Sequence, residues 1–252
     1  MLKKVLFSLF LVLGGFFLQA QVPGGREAIE GGSESNVLYR KDHTGSFYLH
    51  TRGMGVLYRM SKHVTAKQRN YFEIDFNNIK HPKEVQVVGD AFDRKRFVYG
   101  KINNVMLLKA ALGSQNVFYH KADLEAVEVR YSYSIGPGIA FLKPYYVQVD
   151  RVQYNNVVTD EVPFNEETFT IDSINGRASF FKGFDGLKVR PVITGKFNIS
   201  FEYAHYTNII RALELGLCVD YFPIALPIMA RNPSENFVIS LRLGFVFGRK
   251  YY

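Results

Sequence analysis

The stretch "NFVISLRLGFVFGRKYY" at the C-terminus constrains this chain more than any other, because it alternates without a break. Phe237, Ile239, Leu241, Leu243, Phe245 and Phe247 fall on one face of an extended strand. Val238, Ser240, Arg242, Gly244, Val246 and Gly248 fall on the other. A helix would scatter both sets around its axis, so the segment reads as a strand. So uniform an apolar face leaves two surroundings, the core of a soluble barrel or the hydrocarbon of a membrane.

The same period returns upstream. In "NYFEIDFNN", Phe72, Ile74 and Phe76 alternate with Glu73, Asp75 and Asn77. In "VEVRYSYSIGPGIAF", an apolar row from Val127 to Phe141 alternates with Glu128, Arg130, Ser132, Ser134, Gly136, Gly138 and Ala140. "KFNISFEYAHY" puts Asn198, Ser200, Glu202 and Ala204 between its apolar residues, and "ALELGLCVDY" does the same with Glu214, Gly216, Cys218 and Asp220. A soluble barrel would carry many Lys, Glu and Thr side chains on its outer face. This polar phase instead mixes small residues with opposite charges, which suits a crowded interior where ions pair. The apolar phase then faces lipid.

Glu73, Asp75, Glu128, Arg130, Glu202, Glu214, Asp220 and Arg242 are accordingly expected to project into the lumen as a salt-bridged plug. A proton or ion path is the alternative. Less regular strands at 46–60, 97–112 and 144–154 bring the count to eight, giving an all-β, eight-stranded antiparallel transmembrane barrel of up-and-down topology. The expected order of strands is 46–60, 70–77, 97–112, 127–141, 144–154, 192–206, 209–221 and 237–247. "SKHVTAKQR" and "GSQNVFYHKADL" then become outer loops, "LKP" a tight periplasmic turn, and residues at about 155–190 one long extracellular excursion. "IKHPKEVQVVGDAFDRKR" fits this scheme badly, as a periplasmic turn of unusual length.

The N-terminus indicates where the chain goes. Lys3 and Lys4 precede the uncharged "VLFSLFLVLGGFFL", and Ala20 offers a small residue for cleavage before Gln21. Residues 1–20 thus read as a cleaved signal peptide, 21–44 as a flexible leader and 45–252 as the barrel domain. Without Lys3 and Lys4 the chain has 29 basic against 23 acidic residues, dispersed at +6. With no basic stripe, a nucleic-acid partner is rejected. The single cysteine, Cys218, excludes an internal disulfide and reads as a buried apolar filler.

Taken together, the segments "YFEIDFNNIKHPKE", "FVYGKINN", "AVEVRYSYSIGPGIAFLKPYY" and "FFKGFDGLK" resemble small outer-membrane β-barrel proteins of the Bacteroidota. The architecture is similar to OmpX-like and PorT-like barrels. That resemblance implies an eight-stranded barrel with a side-chain-filled lumen, and residence in the outer membrane. It also implies handling by the barrel-assembly machinery, which reads a C-terminal aromatic. Because the apolar alternation ends at Phe247, "GRKYY" is expected to lie beyond the last strand.

No HExxH, CxxC, GxSxG or P-loop pattern occurs, and no cofactor is expected. His43, His50, His63, His81 and His120 lie in separate segments and read as surface or loop residues. "AHYTN" loosely resembles the His-x-Ser-Asn motif of outer-membrane lipid A deacylases, with Thr207 in place of the nucleophilic Ser beside His205. An interfacial histidine beside a tight turn is the plainer reading. In the long loop, Phe180, Phe181 and Phe184 either meet a partner or lipid, or fold over the barrel mouth. The function these features favour is a structural or interaction protein, an accessory subunit of an envelope or secretion complex, with outer-membrane lipid and an envelope protein as partners. A lipid A-modifying hydrolase and a narrow channel are the alternatives.

Overall fold

The computed structural model describes residues 41–65, 67–88, 95–120, 126–153, 156–165, 168–203 and 208–251. The expected signal peptide, most of the leader, His205 and Thr207 lie outside them.

Among the described residues thirteen strands follow one another. The first half comprises β1 (Lys41–His50), β2 (Gly53–His63), β3 (Gln68–Ile79), β4 (Gln86–Val87), β5 (Phe97–Val98), β6 (Asn103–Tyr119) and β7 (Glu128–Pro144). The second comprises β8 (Tyr146–Gln153), β9 (Asn156–Pro163), β10 (Ile174–Arg177), β11 (Lys188–Glu202), β12 (Ile209–Leu226) and β13 (Glu235–Tyr251). Eight of them close into one antiparallel barrel in the order β1-β13-β12-β11-β7-β6-β3-β2. The rest form a three-stranded sheet, β10-β8-β9, and the β4-β5 pair.

The strand count agrees with the expectation, but its composition does not. The single strand expected at 46–60 is a hairpin in which His50 pairs with Gly53 around Thr51 and Arg52. The sequence carried a sign of this. Phe47 and Leu49 face outward at odd positions, whereas Met54, Val56 and Tyr58 do so at even ones, and that phase flip requires a turn between them. Glycine is needed where β2 begins, because a Cβ at Gly53 would stand 2.4 Å from the Asn78 carbonyl oxygen. The strand expected at 144–154 is β8, which pairs with β9 and β10 and takes no part in the barrel. At 8 residues each, β8 and β9 fall short of the roughly 9–11 needed to cross a bilayer.

These two changes move the connections that precede β8 to the opposite end of the barrel and leave the later ones in place. The connections 51–52, 80–102, 145–187 and 227–234 leave from one end, and 64–67, 120–127 and 203–208 from the other, beside Lys41 and Tyr251. The connection at 80–102, awkward as a periplasmic turn, therefore shares its end with the other long excursions. "LKP" lies at that end too, while "SKHVTAKQR" and "GSQNVFYHKADL" lie at the end of the termini. Two further boundaries move. β1 begins at Lys41, inside the expected leader, and β13 runs to Tyr251, so "GRKY" belongs to the strand and pairs with Lys41 to Thr44.

The opening ambiguity is decided by β13. Leu241 is 62% exposed and Arg242 only 6%, and the outward row of Phe237, Ile239, Leu243, Phe245 and Phe247 is exposed throughout. Every barrel strand continues this apolar girdle, for example with Ile74, Leu108, Ile135, Ile199 and Leu217. Soluble monomers rarely expose contiguous apolar patches beyond a few hundred Å². The girdle is built for lipid, and the apolar-in arrangement of a lipocalin-like barrel is not the one adopted. Leu243→Arg, near the middle of the girdle, should destabilise the chain folded into vesicles by about 2–4 kcal/mol. Urea titration measures this, and a change below about 0.5 kcal/mol would put that face in water.

Candidate functional site

Inside the barrel the side chains form three layers. At the end of the long connections, Ile79, Val105, Leu107, Leu142, Val192, Phe222, Leu226 and Val238 pack into an apolar plug with Ile228. Beneath it lies the most deeply buried ion cluster. Glu73 and Asp75, both 0% exposed, stand two residues apart on β3 and share the ammonium of Lys196 at 2.9 and 2.6 Å. Glu73 also accepts from Nε and Nη2 of Arg59 at 3.1 and 3.0 Å and from Ser134 at 2.9 Å. Arg59 reaches on to Glu214 at 3.1 Å.

On the other side, Tyr48 donates its hydroxyl to Asp75, and Lys109 lies 3.8 Å from Asp75 and 3.2 Å from Asp220. Arg242 stacks over the Tyr48 ring at 3.8 Å from its centroid and points at Asp75 from 3.8 Å. Four carboxylates (Glu73, Asp75, Glu214, Asp220) thus meet four cations (Arg59, Lys109, Lys196, Arg242), and the layer is neutral. With Tyr48 and Ser134, all eight barrel strands contribute to it.

A third layer lies toward the termini. Asp42 pairs with Arg69 at 2.5 Å and with His63 at 3.8 Å. Arg130 joins Glu128 and Glu202, each at 2.5 Å, and Lys250 reaches Glu202 at 3.5 Å. The cavity between the two charged layers, lined by Asp42, Arg59, Arg69, Arg130 and Glu214 among others, has only about 10 Å³ of free volume. That is at or below the space of one water molecule. The ion pairs tie strands together across a closely filled lumen.

All eight charges assigned to the lumen from sequence therefore sit in these two layers, five in the middle one and Glu128, Arg130 and Glu202 toward the termini. Arg59, Lys109 and Lys196 escaped the sequence reading. Lys196 was legible, since it falls in the polar phase with Asn198, Ser200 and Glu202. Arg59 and Lys109 belong to the strands whose alternation is less regular. His50 and His63, expected at the surface, lie inside or at the rim of the barrel, with His50 beside Tyr48 and Asn77. Cys218 is buried but is no apolar filler, since its Sγ lies among Lys109, Thr194 and Asp220. Among the described residues no group of three His, Cys, Asp or Glu side chains is placed to hold a metal ion.

Above the barrel, β8, β9 and β10 make a cap with its own core of Phe97, Tyr145, Val147, Val149, Phe164, Phe169 and Ile174. The loop that follows returns to the barrel wall. Phe180 and Phe184 stand over the Lys143 ammonium at 4.2 and 4.9 Å, and Phe181 is 81% exposed. Lys143 lies at the end of β7 and donates to the Phe180 carbonyl. The three phenylalanines therefore lie along the flank of the rim beside Lys143.

Removing one partner from a buried ion cluster leaves an uncompensated charge, at a cost of about 3–5 kcal/mol. Lys196→Met should lower folding stability in vesicles by that amount, and Glu73→Gln in the same chain should restore part of it. A loss below about 1 kcal/mol in a urea titration would mean that the ions are hydrated and the lumen open.

No protein-family profile and no curated protein matches this sequence. Among solved structures, the chain is similar to Neisserial surface protein A at 9% identity and a TM-score of 0.42, covering 84% of this chain and 97% of that one. The attachment invasion locus protein Ail of Yersinia pestis follows at 5% identity and a TM-score of 0.39, covering 85% and 100%. The N-terminal β-barrel domain of Pseudomonas aeruginosa OprF gives 8% identity and a TM-score of 0.33, covering 83% and 97%. The barrel assignment itself rests on the strand pairing, which closes on itself in this chain.

Proposed function

We propose that the protein is an integral outer-membrane barrel with a closed lumen, acting as a structural and interaction protein of the cell envelope. The observation that carries this reading is the contrast between the two faces of one wall. Outside, the girdle is apolar on every strand, and inside, four carboxylates neutralise four cations. A wall of that kind is stable only with hydrocarbon on one side and a dry, ion-paired filling on the other. An eight-stranded barrel is just wide enough to be filled by its own side chains, so the lumen has no room for a solute.

The orientation follows from the connections. Outer-membrane barrels keep short turns on the periplasmic side and long loops outside. On that rule the termini face the periplasm, and the capped end with its long connections faces outward. A sealed lumen leaves the rim and cap as the surfaces available for binding, because loops on a rigid barrel carry recognition. An accessory role in an envelope or secretion complex accords with this layout, by resemblance to PorT-like barrels.

Protein taken from isolated outer membranes should migrate differently on a gel before and after boiling, because a closed barrel resists detergent until heated. No shift, with the chain recovered free in the periplasmic fraction, would overturn the membrane reading. In planar bilayers the purified barrel should give no conductance steps, and regular single-channel steps would replace the structural role with that of a channel.

A further inference from the structure

The alternation of β6 and β7 fixes where Lys143 points. On β7 the outward residues are the odd ones, Tyr131, Tyr133, Ile135 and Ile139, and Lys143 continues that row. Its neighbour across the ladder, Asn104, lies in the outward row of β6 with Leu108 and Leu112. Lys143 therefore leaves the barrel wall on its outer side, where the returning loop buries it to 2% exposure. Beside it opens a pocket of about 460 Å³, whose wall includes Lys95, Lys143, Tyr146, Arg177, Phe180 and Lys182. Four of these six are cations, and no residue of the lining is a carboxylate. Lys95, Arg177 and Lys182 form no side-chain hydrogen bond or ion pair with any described residue, and Lys143 spends one of its three N–H bonds on the Phe180 carbonyl. Behind the lining, Glu161 accepts from Gln148 and from the N–H of Ser179, a residue of the pocket wall.

The height of this pocket selects its ligand. Lys143 lies two residues past Phe141, which pairs with the exposed Val189 of the girdle. Two residues are about 7 Å of strand, or roughly 5 Å of rise at the usual tilt of a membrane barrel. The polar layer on each side of a hydrocarbon core is about 5–8 Å thick. The pocket thus lies at headgroup depth, with Phe180 in its wall and the exposed Phe181 next to it. A second recess of about 240 Å³ shares Arg177 and Tyr145 with the first and adds Lys80 and Arg96. The carboxylate there, Glu84, is neutralised by Lys101 at 2.7 Å.

We infer that this flank pocket binds the phosphorylated headgroup of a lipid in the leaflet on the capped side, with Lys95, Arg177 and Lys182 as the phosphate ligands and the buried Lys143 adding its charge in the wall behind them. A phosphate monoester carries about 1.5–2 negative charges and three acceptor oxygens, which matches several convergent cations better than a zwitterion or a diester does. The inference rests on the membrane reading above.

The full chain, reconstituted in phosphatidylcholine nanodiscs with a minor fraction of phosphatidic acid or phosphatidylglycerol, should retain phosphatidic acid preferentially in native mass spectrometry. Arg177→Gln and Lys182→Gln should each reduce that preference about fivefold, and the double variant more, with the heat-shifted gel band unchanged. Equal retention of the three lipids by a heat-modifiable barrel would overturn the site alone, as would a double variant that keeps the preference. Displacement of phosphatidic acid by millimolar inorganic phosphate would overturn the lipid as the source of the phosphate. A chain that never shows a heat-shifted band would overturn the membrane reading and the site with it.

Discussion

The ammonium of Lys196 lies between Glu73 and Asp75, with all three side chains fully buried. Two carboxylates so close on one strand cannot both remain ionised in a dry interior unless cations reach them from elsewhere. Those cations come from β2, β6, β11 and β13, so the charges on β3 are compensated only once the sheet has curled far enough to bring the other strands opposite. Closure of the barrel and neutrality of its interior are therefore one condition. The same filling that secures closure packs the lumen with its own side chains, and the proposed function accordingly looks to the rim.

The rim is built to carry it. The apolar plug of Ile79, Leu107, Leu142, Phe222 and Leu226 separates the ion cluster from the capped end. The cap has an independent core around Phe97, Val147 and Ile174, which gives the long connection a fixed shape instead of a loose excursion. Fixed loops can hold cations apart without pairing them. At the barrel flank that produces a pocket lined by four cations, a few ångströms above an apolar girdle. Charge is arranged in opposite ways at the two levels: paired in the lumen, and clustered without a carboxylate in the lining at the flank.

Much of this was legible in the residues. Alternation in β3, β7, β11, β12 and β13 identified both faces of the wall, and the lumen acids followed because a side-chain period of 2 is a property of extended backbone alone. The errors came where alternation is indifferent to partners. Residues 46–60 alternate on both sides of a turn, and only the slip in phase between Leu49 and Met54 marks the hairpin. The opening "VQV" of β8 alternates as a membrane strand does, yet Val147 and Val149 lie in the cap core and the strand pairs with β9. Exchanging one strand for another left the count at eight while reversing which connections share an end.

By itself the sequence determined that the chain is built of strands, which side chains share a face, and that the apolar face is too uniform and the polar face too crowded for the usual soluble barrel. These are local consequences of backbone geometry and solvation. Only the tertiary structure decided which strands close the barrel, which cation meets which carboxylate, and that Lys143 and Arg177, 34 positions apart, line one pocket. Such facts depend on register and on connections that cross the molecule, and contacts between distant residues leave no period in the chain to be read.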